Sequence, residues 1–256
     1  MKRPVIIDMD LTCDDVAALE IAAKTNEIDI KAVTLVGSDA KQKTQYTKEL
    51  CRQLNIDCKA ATGALKPIFK DEFIQRDLYG RYAVNVNISG SSDGDSCNYP
   101  WDIIADEAEK AKGNLEIITL GPVTNVAITL LRYPKVKTLI KRIFVAAGAG
   151  YTGNVAPYSE YNAYCDPDAL QIIFDSGIPV TLFPLEAADY FSKDIKGCIP
   201  YSAAAMTAFG NLQTVCTKDY YVVCETRKGE NQGWTIVDRL GKYKKKPNIS
   251  VVTATD

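Results

Sequence analysis

Short apolar runs of strand length alternate along the chain with stretches whose apolar residues recur at helical spacing. Residues 4–7 (Pro4-Val5-Ile6-Ile7) read as a buried strand and residues 16–23 as a helix. A strand over 28–36 precedes a helix over 40–54, whose face is marked by Tyr46, Leu50 and Leu54. The same reading places strands at 115–120, 143–147 and 180–183, and helices at 125–133 and 166–175. Strand–helix alternation predicts an α/β fold: a mainly parallel, Rossmann-like open sheet with helices on both faces. No internal repeat or low-complexity linker interrupts the pattern, so one domain over residues 1–256 is expected.

The polar positions are most concentrated just after the first strand, where Asp8, Asp10, Asp14 and Asp15 fall within eight residues. The expected strand and helix put them on a strand-to-helix turn, the place where open α/β sheets bind ligands. Asp14 and Asp15 then lie near a helix N-terminus, whose partial positive charge favours anions. Helix capping and a solvated acidic turn account for one or two of these carboxylates. Asp8 and Asp10 at a strand end point instead to a hard divalent cation, which takes oxygen ligands, or to a sugar.

Composition narrows the chemistry. With 46% hydrophobic and 24% charged residues and a net charge of −2, the 256-residue chain shows no general attraction to nucleic acid or anionic membrane. The basic run of Lys242 and Lys244–Lys246 reads as a solvated loop, no apolar run approaches the length that spans a bilayer, and no signal-peptide pattern precedes the first strand. A cytoplasmic protein is expected. The eight cysteines are scattered without a CxxC pair and read as mostly buried thiols; Cys13, inside the aspartate turn, is either packed or site-lining. The chain has no histidine, which removes Ser-His-Asp, Cys-His and histidine-zinc chemistries.

Several expected strands end in small or polar residues: Gly37-Ser38, Leu120-Gly121-Pro122 and Ala147-Gly148-Ala149-Gly150. A parallel sheet brings those ends to one edge with the aspartate turn. Residues 69–100 read as a long polar loop near it. A second polar cluster, Gly153 to Asn162, precedes a helix opened by Asp166-Pro167-Asp168, with Pro167 at the first helical position. Its Asn154, Glu160 and Asn162 combine amides with a carboxylate, a mixture that suits vicinal hydroxyls. In an extended segment Glu160 and Asn162 would point the same way. A loop satisfying its own backbone is the competing reading.

Taken in order, these segments resemble the inosine–uridine nucleoside hydrolase family. Its DxDPGxDD turn corresponds to Asp8-Met9-Asp10-Leu11-Thr12-Cys13-Asp14-Asp15, with Leu11-Thr12 replacing Pro-Gly. Its GPLTN segment corresponds to Gly121–Asn125, and its GNxTPxAEFNxxxDPEAA segment to Gly153 through Ala169. Its later VETxG and GxTVVD segments correspond to Val223–Gly229 and Gly233–Asp238. The resemblance implies cleavage of a ribonucleoside into base and ribose by a Ca2+-activated water, with a small-molecule partner and a homo-oligomer, a dimer or tetramer. Carried over by motif, Asp10, Asp15 and the Leu120 carbonyl would hold Ca2+, and Asp10 would also be the general base. Asp14, Asn154, Glu160 and Asn162 would bind the ribose.

The chain departs from the family in two places. The usual His-Asp pair before a PLAVA-like helix corresponds to Tyr201-Ser202, and the region between Asp189 and Tyr201 is short. The family's His-Gly loop corresponds to Ser89-Gly90 and its strand-end Asn to Ser38. One carboxylate ligand and the leaving-group acid are therefore not evident, although Tyr201, Tyr158 and Tyr151 carry hydroxyls. Asp238 belongs to the TVVD segment and is no substitute ligand. The alternative function is a degenerate member that binds a riboside or sugar without turnover. An aspartate-nucleophile phosphohydrolase also fits Asp8-Met9-Asp10, but not the downstream segments.

Overall fold

A computed structural model describes residues 2–74, 99–192 and 201–253. Eight strands form one sheet: β1 (Arg3–Met9), β2 (Ile28–Leu35), β3 (Lys59–Thr62), β4 (Leu115–Thr119), β5 (Ile140–Ala146), β6 (Val180–Phe183), β7 (Thr217–Tyr220) and β10 (Ile249–Val252). Their spatial order is β3-β2-β1-β4-β5-β6-β10-β7. All neighbours are parallel except β10 and β7, which pair antiparallel at one edge. A small antiparallel pair, β8 (Val222–Cys224) and β9 (Thr235–Val237), stands apart from it.

The central strands are apolar at successive positions because both of their faces are covered. Along β1 the side chains divide by period two. Ile6 joins Ile117, Ile143, Val145 and Leu182 on one face, whereas Val5, Ile7 and Met9 join Ile118, Phe144 and Phe183 on the other. The first face is covered by α3 (Pro100–Ala111), α4 (Thr124–Arg132) and α6 (Pro167–Phe174), through residues such as Ile104, Leu130 and Ile173. The second is covered by α1 (Cys13–Lys24), α2 (Ala40–Gln53) and α8 (Tyr201–Gly210), through Leu19, Leu50 and Phe209. Two short helices, α5 (Tyr161–Cys165) and α7 (Ala187–Ser192), follow β5 and β6.

The chain crosses from β1 to β2 and β3 in one direction, then returns to β4, β5 and β6 in the other. The switch point lies between β1 and β4, and the strand order there leaves a crevice at their carboxyl ends. Both the aspartate turn and Leu120-Gly121 occupy this position.

The expected elements are present, with shifted ends. β1 runs on to Met9, so Asp8 is a strand residue and not part of the turn. Helix α1 begins at Cys13, so Asp14 and Asp15 lie in its first turn. Glu160 and Asn162 are not in an extended segment: Glu160 is the N-cap of α5 and Asn162 is helical. Ser89, Gly90 and most of the loop expected at 69–100 lie outside the described residues, as do Cys97 and Cys198.

Candidate active site

Asp8 is fully buried at the end of β1, where its Oδ1 accepts hydrogen bonds from Thr34 Oγ1 at 2.5 Å and Asn125 Nδ2 at 2.7 Å. Burial, opposed by those two bonds and aided by the charge of Asp10, pushes its carboxyl up to about 7. Asn125 makes this corner rigid. Its Nδ2 also donates to the Leu35 carbonyl at 3.1 Å and its Oδ1 accepts from Ala64 N at 2.8 Å, so one amide ties three strand ends together.

The turn itself is Asp10-Leu11-Thr12. Leu11 is buried with φ at +50°, a left-handed conformation that costs a non-glycine residue about 1–2 kcal/mol. Lys43, from the first turn of α2, donates to the Asp10 carbonyl at 2.7 Å and pairs with Asp39 at 3.0 Å. Gly121 lies against the turn from β4, where an added Cβ would come within 2.8 Å of Asp10 N. The close approach of the two strand ends therefore requires glycine.

Asp15 closes the start of α1, its Oδ2 accepting from Thr12 N at 2.8 Å, which is one half of a capping box. Asp14 accepts from Thr12 Oγ1 and from Ser202 N, the latter at 3.2 Å. Burial, then the charges of Asp14 and Asp10, hold the Asp15 carboxyl well above the usual carboxylate range, against hydrogen bonds from Thr12 and the Ser202 side chain. Ser202, buried in the first turn of α8, thus stands beside both aspartates.

From the other side of the switch point, Asn162 Nδ2 donates to the carbonyls of Leu120 at 2.8 Å and Ala146 at 2.9 Å, the ends of β4 and β5. Glu160 Oε2 accepts from Gly148 N at 3.0 Å and Ala163 N at 3.1 Å. Asn154 is exposed at the margin and accepts from Tyr161 N at 2.8 Å. Ser38 is exposed just beyond β2. Tyr201 donates its hydroxyl to the Phe183 carbonyl at 2.6 Å, and burial with the charges of Glu160, Glu186 and Asp14 keeps that hydroxyl protonated far above its usual range.

Among the described residues, buried polar side-chain atoms without a hydrogen-bond partner include Asp8 Oδ2, Asp15 Oδ1, Thr119 Oγ1, Asn162 Oδ1 and Glu186 Oε2. All belong to residues at the carboxyl edge of the sheet. A buried acceptor left unpaired costs about 1–3 kcal/mol, so such a cluster marks a place built for a ligand that donates or is cationic. Asp8, Asp10, Asp14, Asp15, Leu120, Glu160, Asn162, Tyr201 and Ser202 come together there; Asn154 and Ser38 stand outside the buried cluster.

Three contributors were not singled out from the sequence: Asn125, Lys43 and Glu186. Asn125 lies within a recognised motif, but its contact with Asp8 spans 117 residues. Cys13 is exposed and so is not a packed thiol. Asp238 accepts from Lys242 N and Tyr243 N, both at 2.8 Å, and thereby shapes the exposed basic turn.

For a hard cation, the edge offers the carboxylates of Asp10 and Asp15, the Leu120 carbonyl and the Ser202 hydroxyl. The described residues contain no cluster of three or more His, Cys, Asp or Glu side chains placed to hold a metal ion. The unpaired, buried Asp15 Oδ1 fits such a cation, with a donor set one carboxylate short of three.

The whole chain aligns with the pyrimidine-specific ribonucleoside hydrolase RihA of Salmonella enteritidis, at 28% identity over 297 residues and 95% of that protein. Two solved structures share the fold. The purine-preferring ribonucleoside hydrolase from Gardnerella vaginalis superimposes with a TM-score of 0.80 at 21% identity, covering 99% of this chain and 94% of the other. The inosine-uridine preferring nucleoside hydrolase from Bacillus anthracis gives 0.77 at 15% identity, covering 100% and 95%. The family model described as inosine-uridine preferring nucleoside hydrolase matches residues 5–194, the span that carries the sheet's switch point and all the site residues before α8; the chain belongs to that family.

Proposed function

We propose that this chain, folded as one domain, hydrolyses the N-glycosidic bond of ribonucleosides at the β1–β4 switch point, releasing base and ribose. The observation that carries this reading is the group of unpaired buried acceptors on Asp8, Asp15 and Asn162 at that edge. Ribose hydroxyls both donate and accept, so they can partner these atoms whether or not Asp8 and Asp15 carry protons, and Asp14, Glu160 and Asn154 extend the same surface. Carboxylates here also oppose the positive charge that develops on the sugar as the bond to the base lengthens.

Asp10, Asp15, Leu120 and Ser202 would hold Ca2+. Bound there, the ion supplies positive charge that makes a nearby water a better acid and orients it. Asp10 would act as general base toward the attacking water. The chain offers no histidine to protonate the departing base, and the Tyr201 proton is committed to Phe183 O. Tyr151 and Tyr158 are exposed, the first beneath Arg239 and the second against Trp234.

The committed Tyr201 proton and the Ser202 substitution favour a second reading, a riboside-binding protein without turnover. One experiment separates the two. The full chain is incubated with purine and pyrimidine ribonucleosides, with Ca2+ and with EDTA, and products are measured by chromatography. Equimolar base and ribose, lost in EDTA, support hydrolysis; ligand-raised Tm without product supports the binder; neither result with any nucleoside sinks both. The family likeness further leads us to expect a homo-oligomer, which sedimentation would read directly.

A further inference from the structure

Helix α2 ends in a turn that returns the chain on itself. Asn55 adopts φ of +56°, Ile56 N donates to the Cys51 carbonyl at 2.8 Å and Asn55 N to the Arg52 carbonyl at 3.2 Å. This is the paired hydrogen-bond pattern of a Schellman cap. The return brings Cys58, immediately before β3, onto Cys51 in the last turn of α2, with Cys58 Sγ donating to Cys51 Sγ at 3.8 Å. Cys51 is 4% exposed, whereas Cys58 is half-buried and reachable from solvent.

We infer that Cys51 and Cys58 form a dithiol modification site, closed to an intramolecular disulfide by a low-molecular-weight disulfide such as oxidised glutathione. The geometry assigns the order of events. Cys58 Sγ attacks one sulfur of the reagent, the reagent's S–S bond breaks, and one small thiol leaves with the proton Cys58 gives up. Cys51 Sγ then attacks the Cys58 sulfur of the mixed disulfide, and the second small thiol leaves with the Cys51 proton. Two protein thiols are oxidised and one external disulfide is reduced to two thiols. Once Cys58 is in the mixed disulfide its sulfur already lies beside Cys51 Sγ, so the second attack is intramolecular and is favoured by proximity. Contact at 3.8 Å needs only a short approach to the ~2.05 Å of a bond, with the cap holding both residues in place. The site is remote from the aspartate turn and independent of the hydrolase reading.

The test uses the full reduced chain incubated with oxidised glutathione, alkylated, cleaved with trypsin and read by mass spectrometry. Cleavage after Lys48, Arg52 and Lys59 separates Cys51 from Cys58, so residues 49–52 and 53–59 stay together only through the bridge. The linked pair is the expected product. Cys51→Ser should trap Cys58 as a stable glutathione adduct, and Cys58→Ser should leave Cys51 unmodified. Recovery of both cysteines alkylated after oxidant overturns the proposal, as does a Cys51→Ser chain that takes no glutathione at Cys58.

Discussion

Two residues packed beside the aspartate turn make the electrostatics measurable. Asp8 is raised to about 7 from the ordinary 3.8 chiefly by burial. The folded chain therefore keeps a proton that the unfolded chain releases across this window. The stability this contributes is complete below about pH 4 and is lost as pH rises through about 7. In EDTA, the unfolding free energy should fall more steeply with pH in the parent than in Asp8→Asn, by about 3 kcal/mol between pH 5 and pH 8. Urea denaturation at pH 5 and pH 8 reads the difference; equal slopes would show that Asp8 does not hold the proton. Ser202 is the second case. It hydrogen-bonds with Asp14 and Asp15, and the sequence resemblance aligns it with an aspartate. Ser202→Asp should tighten Ca2+ by about tenfold or more by titration calorimetry, because affinity for a hard cation follows the number of anionic ligands. In EDTA the same variant should have a lower Tm, since a further carboxylate joins two already crowded ones. Unchanged affinity would remove Ser202 from the cation's surroundings.

At the scale of elements, the site depends on how the strand ends are tied. Asn125, at the start of α4, joins Asp8 of β1, Leu35 of β2 and the backbone at Ala64 beyond β3. Asn125→Ala would leave buried groups on all three unpaired. We expect a loss of about 2–4 kcal/mol in denaturant unfolding, with a proportionately larger loss of activity. A variant as stable as the parent would mean that the corner is held by other contacts. The strands and helices were legible because buried parallel strands are apolar at successive positions and covering helices carry their own period. Their ends were less so. Asp8 extended β1 because Thr34 and Asn125 satisfy a carboxylate inside the sheet, which a local reading of polar residues as turn cannot foresee. Glu160 and Asn162 were legible as a pair, but they converge through a helix cap and not through strand alternation. The contacts of Asn125 and Lys43 with the turn were hidden, since each joins segments far apart in sequence.

Over the whole molecule, the two ends of the sheet differ in kind. At the amino end, the buried Glu116 is paired with Arg3 at 2.9 Å and Lys141 at 3.0 Å, with Arg142 at 3.7 Å, so the charges there balance each other. Glu116→Gln should cost about 3 kcal/mol, because it strands partly buried cations. It should leave kcat/KM unchanged, being at the opposite end from the site; a matching loss of activity would mean that the ends are coupled. The carboxyl end carries the unpaired acceptors and the switch point, and no helix among the described residues is long and apolar enough to cross a membrane. The central claim is that this end cleaves a ribosyl bond with Asp10 as the base. The most direct measurement is the rate of ribose release by Asp10→Asn against the parent, at saturating Ca2+ and with matched Tm. The account predicts a fall in kcat of about a thousandfold, within the range for loss of a general base. Release at the parental rate by Asp10→Asn would contradict it.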